Sequence, residues 1–236
     1  MEAALLPSII SPEQALTTFS SGHQSQAIAP IRTQPDAMTH AIEVRVLTSQ
    51  EDLNSYRRLL FDVYINEAGW KFNPTNPSGI RVSGHQLLDD RDDIATCFGV
   101  FSQGRLVGGA RLCGRYQDRF EIHGYQPERD LAFLDLPNLV EGSRAVLHPG
   151  FRGTGVFMLL VLHVFEFCRR NHLFIFTIPS AQSVMRLYKR IGMPAIEGCR
   201  FRFEPEDPEE AQLFLADSED VLDTVIKKLG QLLRAS

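Results

Sequence analysis

The chain has 236 residues, with 24 Lys and Arg against 29 Asp and Glu for a formal charge of −5, and 44% of its side chains are hydrophobic. That acidic balance argues against a nucleic-acid binder that relies on a broadly basic face, because affinity for phosphates comes mainly from clustered Lys and Arg, and leaves room only for a local basic patch. No apolar run reaches the roughly 18 residues a spanning helix needs; the longest, near Val156–Phe167, is broken by His163.

Residues 1–40 are rich in Ser, Thr, Gln, Ala and Pro and read as a flexible N-terminal arm, with a short helix at Pro12–Phe19. The start, Met1-Glu2-Ala3-Ala4, lacks the positive charge of a secretory signal. Cys97, Cys113, Cys168 and Cys199 show no CxxC spacing and sit mostly in apolar strings. Reduced core thiols in a cytoplasmic protein are therefore expected, without zinc or a disulfide framework.

Ile42, Val44 and Val46 alternate with Glu43 and Arg45, the period of a strand with one buried face. Ser49 then supplies a helix cap, and Leu53, Tyr56, Leu60, Val63 and Tyr64 recur at helical spacing, predicting a helix from about Glu51 to Ala68 that Gly69 stops. Phe72–Gly79 reads as a loop. Ala95–Phe101 and Arg105–Cys113, joined by Ser102-Gln103-Gly104, predict a hairpin. Tyr116–Asn138 is irregular. Gly142–Leu147 reads as a strand running through a glycine-rich turn into a helix marked by Val156, Leu159, Leu160, Val164 and Phe167. A second strand, Leu173–Ile178, precedes a helix capped by Ser180 and ended by Gly192. Cys199–Phe203 and Gln212–Ala216 form an antiparallel pair around an acidic loop, and residues 217–236 form an amphipathic C-terminal helix.

The turn Arg152-Gly153-Thr154-Gly155 carries the most chemistry. Backbone amides at a helix start are unpaired and sit at the positive end of the helix dipole, so a glycine approach lets a phosphate come close. A tight strand-to-helix turn with no ligand has the same residues. Charged residues in apolar segments ask for partners, because an isolated buried charge costs several kcal/mol. Arg57 on the first helix is expected to pair with Asp90, and Arg111 with Glu141. Glu141 is open to two roles, proton acceptor or structural partner of Arg144. His148, beside the loop, reads as a solvated histidine, and no spacing of His or carboxylates suggests a metal.

Pro149-Gly150-Phe151-Arg152-Gly153-Thr154-Gly155 resembles motif A of the GCN5-related N-acetyltransferase (GNAT) superfamily, whose loop cradles the pantetheine and pyrophosphate of an acyl carrier. Leu187-Tyr188-Lys189-Arg190-Ile191-Gly192-Met193 resembles the end of its motif B helix, where a tyrosine often protonates the leaving thiolate. Phe157 stands where that pattern has Gly or Ala, and a ring there narrows the pyrophosphate slot. The ordered set Arg57, Phe61, Trp70, Asp90, Arg111 and Glu141-Gly142-Ser143-Arg144 resembles the acyl-homoserine-lactone (autoinducer) synthases and the long-chain N-acyl amino acid synthases of similar fold. Two departures stand out. Phe61 and Trp70 are three residues further apart than in that pattern, and Leu87 takes the first place of its Asp-x-x-Asp pair, an acid associated with the lactone pathway.

The resemblance covers about residues 42–216 and implies an α/β fold with a mixed, mostly antiparallel sheet, splayed at the glycine loop and flanked by helices. It implies a GNAT-like N-acyltransferase domain over 41–216. The implied activity is transfer of a fatty acyl group from a phosphopantetheine thioester, on acyl carrier protein before free coenzyme A, to an amine. A free amino acid ranks first as acceptor, then a peptide side chain, then S-adenosylmethionine. Glu141, Arg144 and Tyr188 form the implied catalytic set. Backbone near Val146 and Leu147, with Arg152, Gly153, Thr154 and Gly155, would hold the donor. Arg57, Phe61, Trp70, Asp90, Arg111 and Ser143 would form the substrate side. Tyr188 reads equally as a core aromatic, and Phe151, Phe157, Met158, Phe174, Phe176 and Met185 are available to an acyl chain. Arg115, Arg119, Arg152, Arg169, Arg170 and Lys189 offer a basic entrance to an acidic carrier. The rival readings are a lactone synthase using S-adenosylmethionine, a non-catalytic acyl-thioester sensor, and ordinary acetyl transfer.

Overall fold

The computed structural model describes residues 41–71, 73, 75–126, 131–205 and 207–235. The expected arm at 1–40, with its helix at Pro12–Phe19, lies outside them. Seven strands form one sheet in the order β1 (Ile42–Val46), β4 (Thr96–Ser102), β5 (Arg105–Cys113), β6 (Leu139–Leu147), β7 (Phe174–Thr177), β9 (Ala211–Ala216), β8 (Ala195–Phe201), and β2 (Arg81–Ser83) with β3 (Gln86–Leu88) makes a separate hairpin. Every pairing is antiparallel except β6 with β7.

Strand β1 (Ile42–Val46) follows the predicted alternation and lies against β4. Ser49 caps α1 (Gln50–Phe61), its hydroxyl accepting from the Asp52 amide at 3.1 Å, and Glu51 and Asp52 favour the first turn through the helix dipole. The predicted helix does not run evenly to Ala68. After Phe61 it widens into π-type turns over Asp62–Glu67, where the Ala68 amide reaches back five residues to the Val63 carbonyl at 2.9 Å.

The hairpin of β2 (Arg81–Ser83) and β3 (Gln86–Leu88) was not expected. Its two strands are three residues each, too short for alternation to register. Gly84 and His85 both have positive φ, +55° and +58°, as a two-residue turn matching strand twist requires. Strands β4 (Thr96–Ser102) and β5 (Arg105–Cys113) form the predicted hairpin, turning at Gln103 and Gly104. A Cβ on Gly109 would lie 2.6 Å from the Phe98 carbonyl and 2.7 Å from the Tyr56 ring, so this glycine lets α1 settle onto the sheet.

Strand β6 (Leu139–Leu147) is three residues longer at its start than predicted. It pairs with β7 (Phe174–Thr177) only from Leu139↔Phe174 to Gly142↔Thr177, and beyond that point the strands part. The expected splay is present. Between them α3 (Val156–Arg170) covers one face of the sheet, with Leu160 and Cys168 fully buried. A short helix, α2 (Ile122–Tyr125), interrupts the irregular stretch before β6.

Helix α4 (Gln182–Ile191) ends at Gly192 in the left-handed conformation, but Ser180 does not cap it. Ala181 occupies the cap, and Glu209 from the loop after β8 (Ala195–Phe201) accepts from the Gln182 amide at 3.2 Å. A residue distant in sequence supplies the cap, which no local pattern reveals. Strand β9 (Ala211–Ala216) completes the sheet, and α5 (Glu219–Ala235) buries Leu222, Val225 and Leu229 in the core that α3 also fills. Among the described residues no helix is long and apolar enough to cross a membrane.

Candidate active site

The parting of β6 and β7 opens a cavity of about 560 Å³. One wall is apolar and runs along α3 through Phe157, Leu160, Val161, Val164 and Phe165, facing Ile175. The other end is polar, with Arg111, Glu121, Glu141, Ser143 and Arg144, while Tyr64, Trp70, Tyr188, Asp207 and Glu209 complete the surround. Of the six residues expected beside an acyl chain, Phe157 lines the cavity. Its other apolar neighbours come from the next turns of α3, because the buried stripe of that helix faces the opening.

At the polar end, buried charges are matched one to another. Arg111, 1% exposed, donates to Asp89 at 2.6 Å, to Asp92 at 3.3 Å, to Glu121 at 3.4 Å and to the Ser143 hydroxyl at 3.1 Å. Arg144 donates to Glu121 at 2.7 Å and lies 3.0 Å from Asp89. Burial opposes charge on Asp89, yet Arg144 and Arg111 outweigh it and hold the carboxyl below the ordinary aspartate range. Glu121 is held low in the same way by the two guanidiniums, with a close bond from the Ser78 hydroxyl.

The ion pairs differ from those the sequence predicts. Arg57 pairs with Asp92 at 3.2 Å, not with Asp90, which sits half-exposed in an ion pair with Arg81. Arg111 finds Asp89 and Glu121, not Glu141, and Arg144 finds Glu121 and Asp89, not Glu141. Glu141 instead accepts the Glu121 backbone amide at 2.9 Å. Burial and the adjacent Glu121 charge push its carboxyl up to about 8. The acids turned inward are Asp89 and Asp92, three residues apart, and both reach Arg111.

Beside Glu141 the strand pairing slips. Gly109 faces Val146 and Arg111 faces Ser143, leaving Arg144 and Ala145 bulged opposite Ala110. Arg144 takes φ +52°, a left-handed conformation costing about 1–3 kcal/mol for a non-glycine residue. Two tyrosines brace it: Tyr56 donates to the Arg144 carbonyl at 2.7 Å and Tyr64 to the Ala145 carbonyl at 2.9 Å. Ser143, Arg144 and Ala145 line the cavity, whereas Val146 and Leu147 pack their side chains into the core.

Arg152, Gly153 and Thr154 are exposed and do not line the cavity themselves. Gly155 begins α3 at φ +80° with no side-chain cap, and Leu159 is the first residue whose amide reaches a carbonyl of this turn. The preceding amides are those a phosphate would meet. Trp70 lines the opening, edge-on to Tyr64 at 5.6 Å, while Phe61 is buried against His85 at 5.4 Å. Tyr188 is both lining and core: it packs against Phe214, and burial pushes its hydroxyl up to about 12 despite a bond with Thr177. Of the basic entrance residues, Arg115, Arg152, Arg169 and Arg170 already face acids.

A splayed sheet, a glycine turn entering a helix beside the splay, and a half-apolar cavity between them define an acyltransferase class. A model of the acetyltransferase (GNAT) family matches residues 64–193. The chain belongs to that family. Among solved structures it is similar to the CoA-dependent acyl-homoserine lactone synthase MesI, with 18% identity over 82% of this chain and 96% of that one and a TM-score of 0.60. FeeM, an N-acyl amino acid synthase from uncultured soil microbes, gives 14% identity, 84% and 98% coverage, and a TM-score of 0.57. The acyl-homoserine lactone synthase BjaI, with S-adenosylmethionine and isopentyl-CoA, gives 20% identity, 77% and 83% coverage, and the same score. No curated protein matches the chain in sequence.

Proposed function

We propose that the protein is an N-acyltransferase that passes a fatty acyl group from a phosphopantetheine thioester to an amine. The observation that carries this reading is the cavity itself, apolar along α3 and ending on a buried carboxyl that keeps its proton near neutrality. The apolar wall suits an acyl chain. The polar end suits the nucleophile.

Glu141, once ionised, accepts a proton from the acceptor ammonium, and the freed nitrogen attacks the thioester carbonyl. The carbon–sulfur bond breaks, Tyr188 gives its proton to the departing thiolate, and the nitrogen sheds its second proton to the tyrosine oxygen as it becomes the amide, so Tyr188 ends protonated. A carboxyl near 8 is matched to this task, since a base works best with its pKa close to the working pH. Tyr188, raised toward 12, keeps its proton through the whole working range. Glu121, Asp89, Arg111 and Arg144 hold Glu141 and the bulge in place, so reacting atoms meet in a fixed geometry. Acyl carrier protein is favoured over free coenzyme A as donor by Phe157, whose ring lines the cavity just past the glycine turn.

The acceptor is an amino acid or a peptide amine. A second reading, lactone synthesis from S-adenosylmethionine, gains from two inward acids three residues apart, Asp89 and Asp92, held by Arg111 and Arg57. Mass spectrometry of products formed from palmitoyl carrier protein, palmitoyl-CoA and acetyl-CoA, each with amino acids, a lysine peptide or S-adenosylmethionine, separates the readings. An N-palmitoyl amino acid or peptide is expected. A lactone product selects the second reading, and preference for acetyl-CoA defeats both.

A further inference from the structure

Glu67 closes the wide turn after α1, and its two carboxylate oxygens accept from both terminal nitrogens of Arg152, at 2.6 and 2.8 Å. This two-pronged geometry is also how an arginine grips a phosphate. Arg152 donates as well to the Leu147 carbonyl at 3.3 Å, which keeps the guanidinium at the end of β6. The ion pair ties the glycine turn to the segment whose Val63, Tyr64 and Ala68 line the cavity. Its side chains are 47% and 40% exposed, within reach of an incoming anion. Arg152 also holds the Glu67 carboxyl below its ordinary value, so the pair is fully charged at neutral pH.

We infer that Glu67 is a specificity latch: it occupies the guanidinium that a donor phosphate would take, so a phosphate-bearing thioester releases the Asp62–Glu67 turn and a thioester without phosphate leaves it fastened. This rests on the proposed phosphopantetheine donor. The exchange is a swap of anions on one arginine. A phosphate brings more charge and a third oxygen, and an exposed carboxylate is held weakly enough to yield. The released turn carries Tyr64, which braces the Ala145 carbonyl at the bulge, so donor binding is felt at the cavity wall.

Calorimetric titration of coenzyme A into the full chain at low salt, for the wild type, E67Q, R152Q and the double variant, tests it. E67Q is expected to bind about threefold more tightly than wild type, R152Q more weakly, and E67Q to add nothing once Arg152 is gone. Turnover of an acyl N-acetylcysteamine thioester, which lacks phosphate, should rise in E67Q relative to acyl-CoA. Equal or weaker binding by E67Q, or a gain that persists without Arg152, overturns the latch while leaving the donor reading in place. If none of the four binds coenzyme A or phosphopantetheinyl carrier protein, the donor reading fails and takes the latch with it.

Discussion

Glu141 and Glu121 touch through a backbone amide, yet their surroundings push their acidities apart: Glu121 faces two guanidiniums and a hydroxyl, Glu141 faces the Glu121 charge in a buried site. Since the proposed base works ionised, turnover should climb as pH rises through about 8. E141Q should lower turnover by about 10²- to 10⁴-fold and erase that inflection, as a pH–rate profile would record. Stability runs the other way. A carboxyl whose folded pKa lies above its unfolded one stabilises the fold fully below the ordinary carboxylate range, and this is lost as pH rises through the folded value. Urea midpoints should therefore show E141Q gaining on the wild type between pH 6 and pH 9. D89N, which strips Arg111 and Arg144 of a shared buried partner, should cost about 3–5 kcal/mol in the same titration. The need for such partners was legible, because Arg111 and Glu141 sit in apolar strands. Their identity was not: Asp89, Asp90, Asp92 and Asp93 crowd one short run, and no periodicity in a loop tells which turns inward. Glu121 lay in a stretch without any pattern at all.

The elements that position these groups were readable where they repeat and obscure where they change step. Leu53, Tyr56, Leu60, Val63 and Tyr64 keep a helical period across the join at Phe61, so the shift to wider turns leaves little trace in the pattern. That shift nonetheless belongs to the segment from which Tyr64 reaches the bulge, while Tyr56 reaches it from regular helix. The bulge was hidden for a related reason. One extra residue in β6 is a matter of pairing with β5, and only the partner strand reveals it. Removing either hydroxyl, Y56F or Y64F, should cost about 0.5–1.5 kcal/mol by chemical denaturation. The double variant should stay folded but lose turnover well beyond that, since the carbonyls it frees lie in the strand that carries Arg144. Unchanged turnover in a stable double variant would separate the bulge from the chemistry.

At the scale of the molecule, strand–turn–helix–strand from β6 through α3 to β7 is a crossover between parallel neighbours, and the flanking hairpins are antiparallel, so a mixed sheet was legible from connection lengths alone. The course of the cavity was not, because α3 shows the same apolar stripe whether it meets solid core or a lined opening. Val161 and Val164 line that opening, while Leu229 of α5 is fully buried in the core cluster that includes α3. The two kinds of site should answer differently to substitution. Enlarging Val161 to Phe places a ring where the acyl tail would run, so the preferred donor should shorten when a series of acyl chain lengths is compared, with modest change in stability. Truncating Leu229 to Ala should instead destabilise by about 2–5 kcal/mol and leave the ranking of chain lengths as it was. A chain-length preference that moves with Leu229 and ignores Val161 would mean that the tail lies elsewhere, and that the opening along α3 is a packing defect rather than a binding wall.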